Sequence, residues 1–340
     1  MSSSLPLPFI KPGTILVRDC YVTTFDRIWA RAFQSRGETG TIISGQPGTG
    51  KTQFLYYLIV RLLQQKQKVL FSPNGDALYL FNDDHVYQSS TSKIETQRHL
   101  PRPKSTSNAT EPKAFLTIQP CLPVQAASPD PSRYKVWRKE EYPLLTALPL
   151  WTHKEFLEGL QFQSKYPYLM EALHADTLEE LHFQLIGFPG AFDVLQEYQE
   201  DGEKLLPPAQ ALMLLLENAI DHFGHSARDV YEALFNYKTS LNLHKDAFQI
   251  TFEKLREAVA ALAHGETPSY SISHEILSVS PVFSEPFDDV RWKVDFKSDW
   301  IAKCVIEQLG AVEDITMRQQ VDFLRGIPRA AGVAGQFLSQ

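Results

Sequence analysis

Cysteine is scarce in this chain: three in 340 residues, Cys20, Cys121 and Cys304, far apart and odd in number. They offer neither a disulfide framework nor a metal-ligand spacing, so buried reduced thiols are expected. Long apolar runs are missing as well. The longest stretch, Phe54 to Leu63, is interrupted by Arg61 and falls short of the ~20 residues that span a bilayer. Positive charge is not in excess, because 33 Lys and Arg face 40 Asp and Glu, giving −7 at neutral pH. That excludes the overall basic field of non-specific nucleic-acid binding, although not a local basic patch. The opening MSSSLPLPFIKPG has no charged n-region followed by a sustained apolar core. No secretory leader is read there, and an intracellular location, cytoplasm or nucleus, is expected.

What is present is the make-up of a globular chain, 43% hydrophobic and 11% aromatic, long enough for about two domains. In TTFDRIWARAF, residues Phe25, Ile28, Trp29, Ala32 and Phe33 recur on one helical face, and Gly37 stops the pattern. Thr41-Ile42-Ile43 reads as a short buried strand that runs into GQPGTGKT, Gly45 to Thr52. Phe54 to Leu63 then reads as a helix and Val69 to Phe71 as a second strand, which makes a βαβ unit with a parallel sheet. Leu78 to Phe81 is a further apolar run. Gln88 to Lys113 changes character: it has no aromatic residue, and 12 of its 26 positions are Ser, Thr or Pro. So little apolar surface does not offset ordering entropy, and a mobile insertion is expected over 88–113.

Strand-like sequence returns at Phe115 to Ile118 and Leu122 to Ala127, and helical patterns dominate from Trp151. Pro207-Pro208 opens a leucine-rich helix ending near Gly224. Ser226 and Asp229 stand at capping-box spacing, Asp246 is placed to cap a long helix reaching Gly265, and Ser298 is placed to cap another. Two strand-like runs, Ile276 to Val282 and Trp292 to Phe296, lie between. The expected organisation is a lead segment and helix (1–36), an α/β core (37–150) and a mainly helical C-terminal domain (151–340).

GQPGTGKT fits G-x-x-x-x-G-K-[ST] at every fixed position, a match that chance gives on the order of once per hundred chains of this length. Gly45, Gly48 and Gly50 allow the backbone to turn its amides inward as an anion nest, and the following helix adds its N-terminal dipole. Lys51 is placed to reach the β- and γ-phosphates, and the Thr52 hydroxyl to hold Mg²⁺. The whole stretch Gly45, Gln46, Pro47, Gly48, Thr49, Gly50, Lys51, Thr52 and Gln53 is thus assigned to a nucleoside triphosphate, with ATP and Mg²⁺ as the expected cofactors. Hydrolysis needs more: an acid at the end of a second apolar strand. Asp83 and Asp84, after Leu78 to Phe81, are candidates for that metal contact, although acids in a turn after an edge strand are the plainer reading. Ser128, following the strand Leu122 to Ala127, is a candidate γ-phosphate sensor or a plain Ser-Pro turn. Arg228 falls in the first turn of a helix, where the dipole disfavours a cation, which hints at an anionic partner or a solvated side chain. His222 and His225 stand three apart with no third ligand nearby, so no zinc site is read.

Several segments together resemble the P-loop NTPase module of crinkler and retrotransposon-hot-spot (RHS) type proteins. They are RDCYVTTFDRIW, GQPGTGKTQFLYYLIVRLL, VQAASPDPSRYKVWRKE, LPLWTHKEFLEGL, FGHSARDVYEAL and IPRAAGVAGQFL. The resemblance implies an ATPase core akin to AAA+ and STAND-like signalling NTPases, with a helical lid. Lys51 and Thr52 are then phosphate and Mg²⁺ contacts, Ser128 a strand-end sensor and Arg228 a lid arginine, and a protein effector or oligomer the partner. It also implies an apolar strand ending in Asp just before EPKAFLTIQP. RPKSTSNATEP stands there instead, so a degenerate or truncated copy with a sheet one strand short is expected. Two functions stay open, an ATPase and a nucleotide-binding module that no longer hydrolyses; a small-molecule or nucleotide kinase using Asp83 or Asp84 is a third.

Overall fold

The structure is a computed structural model, and it describes residues 14–34, 40–73, 77–82, 85–90, 104–107, 122–127, 134–198, 205–263, 273–283, 290–310, 323–324 and 326–330. The features expected at Gly37, Asp83, Asp84, Phe115 to Ile118, Ser128 and Gly265 lie outside these residues. By its contacts the chain divides into two units. One holds Met1–Pro149, Leu262–Thr267 and Ser280–Lys293; the other holds Leu150–Ala261, Pro268–Val279 and Val294–Gln340.

The first unit is built on a seven-stranded sheet. Its strands are β1 (Thr41–Ser44), β2 (Val69–Ser72), β3 (Ala77–Asn82), β4 (His85–Ser90), β5 (Lys104–Ser107), β6 (Val124–Ala126) and β7 (Leu144–Ala147). They lie in the order β4-β3-β2-β5-β6-β1-β7. From β2 to β7 all neighbours run parallel, while β3 and β4 add an antiparallel edge. β1, β2, β6 and β7 are buried along their whole length, as a parallel sheet covered on both faces demands.

Three helices belong here: α1 (Asp19–Gln34), α2 (Lys51–Gln64) and α3 (Lys135–Glu141). Asp19 in the first turn of α1 and Arg31 in the last suit its dipole. Its buried positions Tyr21, Thr24, Phe25 and Ile28 follow the i, i+3, i+4, i+7 rule, and Tyr21, Phe25 and Ile28 enter one core with Phe54, Leu55, Leu58, Ile43 and Phe71. The other sheet face packs Ile42, Leu145 and Ala147 on Tyr134, Trp137 and Val290.

Two expectations are corrected. The segment 88–113 is not one mobile insertion: β4 runs on to Ser90, and Lys104–Ser107 forms β5 inside the sheet. Nor is the sheet a strand short, because KSTS pairs on both sides, with Val69–Ser72 and with Val124–Gln125. Backbone hydrogen bonds to two neighbours place this strand without any apolar side chain.

The second unit is mainly helical: α4 (His153–Leu160), α5 (Tyr166–Ala172), α6 (Leu178–Gln184), α7 (Ala191–Glu197), α8 (Pro208–Phe223), α9 (Ala227–Phe235), α10 (Tyr237–Ala247), α11 (Phe252–Ala263), α12 (Ser273–Ile276) and α13 (Asp299–Gly310). One apolar cluster runs from Phe156 in α4 to Phe235 in α9. Strands β8 (Leu277–Val282) and β9 (Arg291–Phe296) form a separate two-stranded sheet. Ser298 caps α13 as expected, accepting from Ile301 N–H at 3.1 Å. Two other caps are not where sequence places them. Ser226 makes no side-chain cap bond to α9, and Asp246 sits inside α10 while the next helix starts at Phe252. The full capping box belongs to Thr152 and Glu155 at the start of α4.

Candidate phosphate-binding site

β1 carries the chain to the C-terminal edge of the parallel strands, between β6 and β7. That edge is where ligands bind in open α/β sheets. Gly45 leaves the strand with φ 127°, and Gly48 and Gly50 follow with φ 84° and 87°. At Gly45 a Cβ would stand 3.3 Å from the Leu148 carbonyl oxygen, on the segment leaving β7, so space and dihedral both favour glycine. Thr49 is wholly buried and closes the loop, its hydroxyl donating to Gln46 O at 2.9 Å.

α2 starts immediately after Gly50. It has no side-chain N-cap and no acid in its first turn, so no carboxylate of its own offsets the positive end of its dipole. Lys51 folds across the loop, donating from Nζ to Gly45 O at 2.6 Å and to Gln46 O at 2.8 Å. Thr52 and Gln53 are exposed on the first turn. The structure therefore brings Gly45 to Gln53 together as one concave turn. Its donors are backbone amides, an ammonium and a hydroxyl, a set that fits a polyphosphate and its cation.

Two residues absent from the sequence reading of the site complete it. Arg18, 2% exposed, donates from Nη1 to Thr49 O at 2.7 Å and from Nη2 to Pro149 O at 3.1 Å. The Tyr21 hydroxyl donates to Gly50 O at 2.8 Å. The segment RDCYVTTFDRIW stood out in the sequence, but nothing in its pattern said what these side chains touch.

No carboxylate lies on β1, β2, β5, β6 or β7: they read TIIS, VLFS, KSTS, VQA and LLTA. Asp83 is outside the described residues, but its flanks are not. Phe81 pairs antiparallel with Val69, and Asn82 with His85, so both flanks lie at the edge where the parallel strands begin, opposite the loop. Ser128 is outside the described residues.

Arg228 belongs to the second unit. It is exposed in the first turn of α9, and its neighbour Asp229 accepts from Lys297 Nζ at 2.5 Å. The turn that precedes it is firmly built. Gly224, φ 76°, backs onto Lys297 O, where a Cβ would stand at 2.4 Å, and His225 exchanges contacts with Trp151 at 3.2 and 2.8 Å. Burial holds His225 and His244 below the usual imidazole pKa, and the nearby charge of Lys297 pushes His244 the same way. Burial also raises the Tyr237 phenol to about 12 and pushes up the Glu275 carboxyl and the Cys304 thiol. His222 and His225 turn Nδ1 to the carbonyls of Asn218 and Trp151, and no group of three metal-ligating side chains exists among the described residues. Among the described residues no helix is long and apolar enough to cross a membrane.

A buried parallel strand, a glycine loop and a helix without a side-chain N-cap thus follow one another in an α/β core, the order of elements in the P-loop motif. No family model matches the chain, and no curated protein matches it. Among solved structures, the Orc1 protein of Aeropyrum pernix in complex with DNA aligns with 90% of this chain and 95% of its own, at 12% identity and a TM-score of 0.31. A likeness of that grade carries no argument about fold or function.

Proposed function

We propose that this chain binds a nucleoside triphosphate with Mg²⁺, ATP foremost, on Gly45 to Gln53. One observation carries the reading: three left-handed glycines join a buried central strand to a helix whose first turn is left uncapped. In this reading Lys51 leaves its two carbonyls for the β- and γ-phosphates, and Thr52 contributes its hydroxyl to the cation. Ser128 and Arg228 take the roles that the crinkler and RHS resemblance assigns, as sensors of the γ-phosphate. The module then works as a nucleotide-dependent regulator of an attached or partner effector, or of its own assembly.

Among the described residues the five parallel strands carry no acid, which favours binding without efficient hydrolysis over a fast ATPase. The proposed site does not draw on Asp83 or Asp84, the residues a kinase reading would use. Phosphate release from Mg-ATP tests this directly. Release by the wild-type chain is expected to be no faster than by Lys51→Ala; a rate clearly above that control establishes the enzyme. Arg228→Ala is expected to leave adenosine diphosphate affinity unchanged while weakening triphosphate binding about tenfold. Wild-type affinity of the variant for both nucleotides would reduce Arg228 to a surface residue.

A further inference from the structure

The three loop glycines that make the phosphate cradle possible also make it soft, because glycine takes either sign of φ readily. Few of the conformers open to such a loop turn their amides to one side. Something outside the loop has to select among them, and the contacts behind it show what does. Arg18, just before α1, holds Thr49 O, and Tyr21, in the first turn of α1, holds Gly50 O. In a trans peptide the C=O and the following N–H point in opposite directions. A donor fixed on Thr49 O therefore aims the Gly50 N–H away from Arg18, and Tyr21 does the same for the Lys51 N–H. Gly50 O accepts in addition from Phe54 N–H at 2.9 Å, the first rung of α2, so both its lone pairs are engaged. These two amides belong to the start of α2, the end of a helix where an anion is favoured.

The clamp is also well anchored. Tyr21 is 1% exposed, with its ring edge-on to Phe54 at 5.5 Å and tilted against Tyr57 at 6.0 Å. The second Arg18 contact, to Pro149 O, ties the same guanidinium to the segment after β7.

We propose that Arg18 and Tyr21 are positioning residues of the phosphate site, and that through them nucleotide binding is coupled to the seating of α1. This rests on the nucleotide-binding reading. A clamp that favours the cradle conformation is itself strengthened by any ligand that requires that conformation, since coupling between two sites is reciprocal.

The test uses the full chain as wild type, Tyr21→Phe and Arg18→Lys. The first variant removes one hydroxyl and keeps the ring packing; the second keeps the charge but not the planar fork that reaches two carbonyls. Calorimetry with Mg-ATP is expected to show affinity lowered about fivefold for Tyr21→Phe and about tenfold for Arg18→Lys. The melting temperature of nucleotide-free Tyr21→Phe is expected to stay within about 2 °C of wild type. Amide hydrogen exchange across Asp19–Gln34 is expected to slow on adding ATP to the wild type, and to slow less in Tyr21→Phe. Wild-type affinity in both variants, even with lowered melting temperatures, would reduce the pair to ordinary packing and overturn the inference while nucleotide binding stands. Failure of the wild type itself to bind would remove the nucleotide reading, and the inference with it.

Discussion

Lys51 donates to two carbonyls of its own loop, while Lys297 is paired with Asp229; the contrast shows how differently two lysines are used. Lys297 is buried and its partner half-buried, so removing either leaves an uncompensated charge. Lys51 lies on the surface of the cradle, and losing it removes charge without opening a core. The imidazole of His244 adds a pH dependence to the second unit. It is buried, its Nδ1 is bonded to Ser240 O, and the positive charge of Lys297 acts on the ring. Its folded pKa therefore lies below the ordinary value near 6.5, and between the two the unfolded chain binds the extra proton. Stability is complete above about pH 6.5 and falls as pH drops toward the folded pKa, by at most about 1.4 kcal/mol per pH unit for one group. Urea unfolding at pH 7.5, 6.5 and 5.5 is expected to show this decline in the wild type and a shallower one in His244→Gln. His225 and Glu275 titrate in the same unit, but only the difference between the two proteins belongs to His244. Identical slopes would contradict the assignment.

At the scale of elements, α4 is the clearest case of a start signal written locally. The Thr152 hydroxyl accepts from Glu155 N–H at 3.3 Å, and Glu155 Oε2 accepts from Thr152 N–H at 2.8 Å. Thr152→Ala is expected to lower unfolding free energy by about 1 kcal/mol, read from the urea midpoint; no change would mean the helix is set by packing alone. Elements with such local signals were legible in sequence: β1, β2, α1, α2, α8 and α13 all fall close to their expected places. β7 was not, because LLTA in an unbroken apolar stretch carries no period that separates strand from helix. β5 was not for the opposite reason, since KSTS has no apolar residue and owes its place to two neighbours far along the chain. The capping expectation at Ser226 failed because Asp229 is drawn to Lys297, 68 residues away, which no local pattern reports.

At the scale of the molecule, the candidate site divides in the same way. Gly45 to Thr52 are contiguous and could be read directly. The residues that fix the loop are not: Arg18 and Tyr21 stand 31 and 29 positions before the carbonyls they hold. The direction of β3 is likewise not local information, because only its pairing shows that it runs against β2. The polar strand β5 fills the place between β2 and β6 and carries no acid, and in the proposed reading that separates binding phosphate from cleaving it.

The central claim is most directly tested by isothermal titration of the wild-type chain and Lys51→Ala with Mg-ATP and Mg-GTP, alongside their thermal unfolding. The expected result is saturable heat for the wild type with at least one nucleotide, affinity weakened about a hundredfold or more in Lys51→Ala, and melting temperatures within about 2 °C of each other. Well-folded wild-type protein that releases no heat with either nucleotide, or a Lys51→Ala protein that binds as tightly, would contradict it.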